Sequence, residues 1–162
     1  DALWAREKAP ELLARRGYSP ARGELVRRWF HGDFAPREYF PIFARISGAY
    51  MAGSGWRAAA RLMAEGGWRS RMRPEALIYA GRHILDGWSV VNRLSEITAP
   101  TLVIAGREHF IFPPTCQEQL AQVIPGAQLV LVDEAGHNPQ DEQPAVVLSA
   151  VRAFLSQPLP AG

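Results

Sequence analysis

Two short apolar runs decide the fold. The first is Thr101-Leu102-Val103-Ile104-Ala105-Gly106; the second, one helix further on, is Gln128-Leu129-Val130-Leu131-Val132-Asp133. Neither alternates between apolar and polar residues, and both are rich in branched side chains. That is the pattern of a strand covered on both faces, as in a parallel sheet. Between them, Pro114 to Ile124 is predicted to be helical and Pro125-Gly126 a turn. After the second run, Asp141 to Leu155 is predicted to be an amphipathic helix, with Ala145, Leu148, Val151, Phe154 and Leu155 on its inner face and Pro158 and Pro160 ending it. Residues 99–157 are therefore strand, helix, strand, helix, an α/β unit of a parallel sheet. Two such strands do not form a stable sheet alone. The chain opens at Asp1 and not at a methionine. Further strands are thus expected from a preceding segment of the same protein, present as a companion fragment or removed.

Upstream the pattern changes to helices. Leu3 to Arg16 has helical spacing, with Pro10 expected to kink or split it. Gly17 suits the left-handed position after a helix, and Ser19-Pro20 an N-cap followed by proline in the first turn. Leu25, Val26, Trp29 and Phe30 share one helical face. His31-Gly32-Asp33 forms a turn, and Pro36 opens a segment through Tyr50, which Gly53-Ser54-Gly55 interrupts. Trp56 to Glu65 and Pro74 to Leu85 are two more helical segments. The expected organisation is a helical region over residues 1–96 and an α/β region over residues 97–162.

Composition excludes several classes. Apolar residues make up 48% and charged residues 21% of the 162, as in an ordinary globular protein and unlike a disordered chain. No apolar run approaches the roughly 20 residues that cross a bilayer, so no membrane partner is expected. Residues 1–98 hold 16 basic and 10 acidic residues, a net of +6, and residues 99–162 hold 2 basic and 6 acidic, a net of −4. The arginines (Arg15, Arg16, Arg27, Arg28, Arg57, Arg61) are scattered through amphipathic segments without a basic run. No nucleic-acid partner is therefore expected. The one cysteine, Cys116, has no partner for a disulfide within the chain, which suits a reducing, cytoplasmic setting.

In a parallel sheet, active sites gather at the carboxyl ends of the strands. Two loops leave such ends, Gly106-Arg107-Glu108-His109-Phe110-Ile111-Phe112-Pro113-Pro114 and Asp133-Glu134-Ala135-Gly136-His137-Asn138-Pro139. The strongest candidate is His137. An imidazole there could accept a proton from a hydroxyl nucleophile and return it to a leaving group. A loop histidine by itself is more often structural. What favours chemistry is its place after an acid-bearing loop, a helix and a strand.

Residues 97–157, from Ile97-Thr98-Ala99-Pro100-Thr101 through Phe112-Pro113-Pro114 to Ala135-Gly136-His137-Asn138-Pro139 and Glu142-Gln143-Pro144, resemble the C-terminal end of α/β-hydrolases. The similarity is to the proline iminopeptidase-like branch. Residues 1–96 more loosely resemble the helical cap, or lid, that these enzymes insert before their last two strands. The resemblance implies a cofactor-free, metal-free serine hydrolase cleaving an ester, amide or peptide-like bond in a small-molecule or peptide substrate. His137 would be its general base. The nucleophilic serine and the oxyanion hole would come from the preceding segment. Where the family places an aspartate, three residues after the strand-ending glycine, this chain has His109, with Glu108 just before it. Three readings follow: Glu108 serves as the acid; the acid comes from another loop outside this chain; or there is none, and the protein binds ligands without cleaving them. His109 carries no negative charge with which to stabilise an imidazolium.

The remaining candidates have plainer explanations. Asp133 and Glu134 suit a strand end and a turn, and Asp141 and Glu142 the start of a helix. Cys116 suits packing, and His31 and His83 a solvated or structural place in the cap. The histidines lack metal-ligand spacing, and Gly53-Ser54-Gly55 lacks the strand and lysine of a phosphate loop. Trp4, Trp29, Trp56, Trp68, Trp88, Phe30, Phe34, Phe40, Phe43, Tyr39 and Tyr50 are expected mostly in the core, some of them lining an apolar pocket. Glu38, Glu65 and Glu75 are the cap carboxylates that could hold a substrate amine.

Overall fold

The computed structural model describes residues 2–52, 73–85 and 87–158, with side chains from Glu7 onward. Gly53-Ser54-Gly55, the Trp56 to Glu65 segment, Trp68, Pro160 and the Trp4 side chain lie outside the described residues. The chain divides into two compact units, Asp1–Ser89 and Val90–Gly162.

The first unit is helical: α1 (Ala2–Arg15), α2 (Pro20–His31), a 3-10 turn (Pro36–Glu38), α3 (Tyr39–Ile46), a second 3-10 turn (Ser47–Tyr50), α4 (Pro74–Tyr79) and a π turn (Ala80–Ile84). Pro10 does not split α1, which runs through it. Packing against α2 sustains the helix there, where Gly23 faces Pro10 so closely that a Cβ at 23 would sit 3.4 Å from the proline Cβ. Leu13 and Val26 are fully buried. Ser19 has the extended backbone of an N-cap but makes no side-chain capping bond, so Pro20, with its preset φ, starts α2. Gly32 ends α2 in the left-handed region (φ 65°), and the Asp33 amide donates to Arg28 O at 2.9 Å, closing the last turn. A Cβ at Gly32 would meet Ile78 O at 2.6 Å, and one at Gly81 would meet Gly32 N at 2.8 Å. These glycines let two backbones touch. Arg82 Nε caps the contact by donating to Gly32 O at 2.9 Å.

Aromatic residues build the core of this unit, although Phe40 and Trp88, expected in it, are 55% and 51% exposed. Trp29 stacks on Phe34 with centroids 5.4 Å apart and packs against Tyr39 at 5.0 Å and Phe43 at 5.7 Å. Trp29, Phe34 and Tyr39 are all buried.

The second unit holds a 3-10 turn (Val91–Glu96), β1 (Leu102–Gly106), α5 (Pro114–Val123), β2 (Gln128–Val132), α6 (Pro139–Glu142) and α7 (Pro144–Leu155). The strands pair in parallel, from Leu102 opposite Gln128 to Gly106 opposite Val132. Both α5 and α7 pack on both strands. Val103, Phe110, Ile111, Ile124 and Val132 are buried between these elements. The predicted Asp141 to Leu155 helix is two elements. Gln143 leaves the helical region (φ −132°), as a residue before proline tends to, so α7 starts at Pro144. On its predicted inner face Val151 and Phe154 are half-buried, but Leu148 and Leu155 are 48% and 73% exposed. Two strands offer too little surface to cover them.

Candidate active site

Strand pairing brings the carboxyl ends of β1 and β2 side by side, so their outgoing loops meet. Backbone bonds continue past the strands. The Arg107 amide donates to Val132 O and the Glu108 amide to Ala135 O, both at 2.9 Å. On the solvent side, Arg107 Nε donates to Asp133 Oδ1 at 2.6 Å. The chain reverses after β2 at Glu134, whose φ of 52° is left-handed. Gly106 lies beneath the second loop: a Cβ there would fall 2.5 Å from the Ala135 carbonyl carbon and closer still to the oxygens of Ala135 and Gly136.

The loops bring two imidazoles together. His137 Nδ1 lies 3.0 Å from His109 Nε2, with ring centroids 4.9 Å apart and planes at 76°. His137 is exposed as a residue, whereas His109 is buried at 8% exposure. His109 closes a turn with its amide donating to Gly106 O at 3.2 Å. Its own ring then receives the next two backbone donors: the amides of Ile111 and Phe112 point at Nδ1 from 3.2 and 3.1 Å. Burial, with His137 beside it, pushes the His109 pKa down to about 4. The ring is therefore neutral near pH 7. Although His137 is exposed as a residue, its ring lies against His109, and the partial desolvation lowers its pKa, against an opposing pull from the Glu142 carboxylate. Glu142 is held there by the Gly136 amide, which donates to its Oε1 at 2.7 Å.

His137 thus stands at the strand-end rim. Glu108 is exposed on the neighbouring loop, and the nitrogen of His137 that an orienting carboxylate would engage faces His109. Two residues carry more than their sequence suggested. His109 was set aside for lacking charge, although its place three residues after Gly106 was the available signal. Glu142 was assigned to a helix start; the fold turns it toward the histidine loop. Cys116 is half-buried on α5, and burial raises its thiol pKa. His83 packs against Tyr79 at 4.8 Å in the first unit. Among the described residues no group of three or more His, Cys, Asp or Glu could hold a metal ion, and no helix is long and apolar enough to cross a membrane.

The sequence model of the family described as "Alpha/beta hydrolase family" matches residues 2–150. RutD of Pseudomonas syringae pv. syringae, whose assignment as a carbamate hydrolase is itself provisional, is 39% identical over 74 residues, covering 46% of this chain and 29% of that protein. Proline iminopeptidase PfmaB of Pestalotiopsis fici is 36% identical over 64 residues, covering 40% of this chain and 23% of that protein. Among solved structures, a thermophilic esterase from Thermogutta terrifontis superposes with a TM-score of 0.61 at 26% identity, covering 85% of this chain and 51% of that one. The chain thus spans about half of that structure, and its matched segments cover less than a third of each curated relative.

Proposed function

Because the chain belongs to the alpha/beta hydrolase family, we propose that it supplies the proton-transferring histidine and the cap of a serine hydrolase that cleaves an ester, amide or peptide-like bond. The observation that carries this reading is His137 on the rim formed by the ends of two parallel strands. The serine and the oxyanion-hole amides would come from a segment outside residues 1–162. The serine Oγ attacks the carbonyl carbon while its proton passes to His137 Nε2. Collapse of the tetrahedral intermediate breaks the bond to the leaving alcohol or amine, which takes that proton. Water then repeats the sequence on the acyl-enzyme. No cofactor enters these steps. One cysteine suits a cytoplasmic setting.

Within this class, we favour ester or amide cleavage over an aminopeptidase of the proline iminopeptidase type on one observation, the engagement of Glu38. A free substrate amine needs an unshared carboxylate. Glu38 already accepts from Arg28 at 3.1 Å and from the Ala35 amide at 2.8 Å. Glu75 lines a cleft of about 570 Å³ together with Asp33 and Glu38, whose charges are opposed there by Arg28 and Arg82. Glu65 lies outside the described residues.

A second reading, a ligand-binding protein without catalysis, is favoured by one observation: an imidazole faces His137 Nδ1 where a carboxylate would assist a base. Labelling the protein that carries its whole natural chain with a fluorophosphonate separates the two. A serine hydrolase is labelled, and His137→Ala lowers labelling and ester hydrolysis on the order of 100- to 10,000-fold. An unlabelled protein without esterase activity sinks the hydrolase reading.

A further inference from the structure

We infer that His109 is a positioning residue that donates its Nε2–H to His137 Nδ1 and so fixes His137 with its proton on Nε2. The inference rests on the hydrolase reading only for its kinetic consequence. The tautomers follow from the backbone. Two amide N–H groups, those of Ile111 and Phe112, point at His109 Nδ1. Amide hydrogens cannot be accepted by a nitrogen that carries its own, so Nδ1 holds the lone pair and the neutral ring carries its hydrogen on Nε2. That hydrogen faces His137 Nδ1 across 3.0 Å, which must therefore be the acceptor. A neutral His137 then has its one hydrogen on Nε2.

An orienting carboxylate does the reverse. It accepts from Nδ1–H and leaves the Nε2 lone pair ready for a hydroxyl proton. Here the proton already occupies the nitrogen that the first chemical step needs. To become a base, His137 must carry hydrogen on Nδ1 and a lone pair on Nε2. His109 Nε2 must then accept, which forces a hydrogen onto His109 Nδ1 against two amide donors, or turns the ring over and breaks both bonds. Protonating His137 meets the same obstacle, because its Nδ1–H would confront His109 Nε2–H. The resting pair is thus arranged to donate a hydrogen bond from His137 Nε2, and base catalysis proceeds through a minor arrangement.

The test is the nitrogen-15 spectrum of the histidines in the whole protein at pH 7, with His137 signals assigned by their loss in His137→Gln. The expected result is a pyridine-like Nδ1 and a pyrrole-like Nε2 on His137, and the same on His109. A pyrrole-like Nδ1 on His137 overturns the inference. The kinetic arm uses His109→Asp, which exchanges the donor for an acceptor. It should turn His137 Nδ1 pyrrole-like and raise kcat for a chromogenic ester at least about tenfold. A His109→Asp protein that folds with His137 unchanged in tautomer also overturns it. If neither protein hydrolyses ester or takes a fluorophosphonate, the hydrolase reading fails, while the spectrum still decides the tautomer.

Discussion

Gly106→Ala puts the geometry of the rim to its severest test. The added methyl would sit 2.5 Å from the Ala135 carbonyl carbon, where an ordinary contact begins at 3.4 Å, and nearer still to two carbonyl oxygens. The obstacle is backbone, which cannot swing aside as a side chain can. Either the end of β1 or the Ala135-Gly136-His137 loop must therefore move by about 1 Å. Moving the loop stretches the bond from the Glu108 amide to Ala135 O and carries His137 with it. Overpacking of this kind costs about 1–3 kcal/mol of stability. A displacement of about 1 Å at a reacting group costs on the order of 100-fold in rate, equivalent to about 2.7 kcal/mol of barrier. The assay pairs urea unfolding with kcat for a chromogenic ester, in the protein carrying its whole natural chain. Both should fall. A variant with an unchanged urea midpoint and unchanged kcat would refute the claim that the histidine loop rests on residue 106.

Two further outcomes follow from named groups. His109 has its pKa pushed from 6.5 to about 4 in the folded state; the unfolded chain then binds more protons between these values, so stability is complete above about pH 6.5 and is lost as pH falls toward 4, by roughly 3 kcal/mol in all. Urea midpoints across that range should show this slope, and His109→Gln should reduce it, leaving the part that His137, whose pKa is also lowered, contributes. Gly32→Ala places a Cβ at φ 65° and 2.6 Å from Ile78 O, and should lower stability by more than about 1 kcal/mol without altering the spectrum of His137.

The strands were legible because their residues leave little choice. Short, branched apolar runs such as Leu102 to Ala105, bounded by Pro100 and Gly106, suit a covered strand, and the parallel register then carries both outgoing loops to one edge. The break before α7 was legible too, in Pro144, but the amphipathic spacing from Asp141 outweighed it. The geometry of the helical unit was less accessible: Pro10 survives inside α1 because of Gly23 on another helix, a contact no local pattern encodes. At the site, His137 stood out by position. The role of His109 did not, because it depends on where two amides, those of Ile111 and Phe112, point once the loop has turned. A rule based on charge alone discards such a residue; a rule based on hydrogen-bond direction retains it.

The bonds that carry the sheet's ladder onward, from Arg107 to Val132 and from Glu108 to Ala135, also govern how a ligand would be received. Histidines on slack loops must be immobilised at the moment of encounter, at an entropic cost of about 1–2 kcal/mol for each residue so ordered. Here the backbone under both rings was fixed when the chain folded. A molecule received there would meet backbone already hydrogen-bonded, and its affinity would not be drawn down by ordering that backbone.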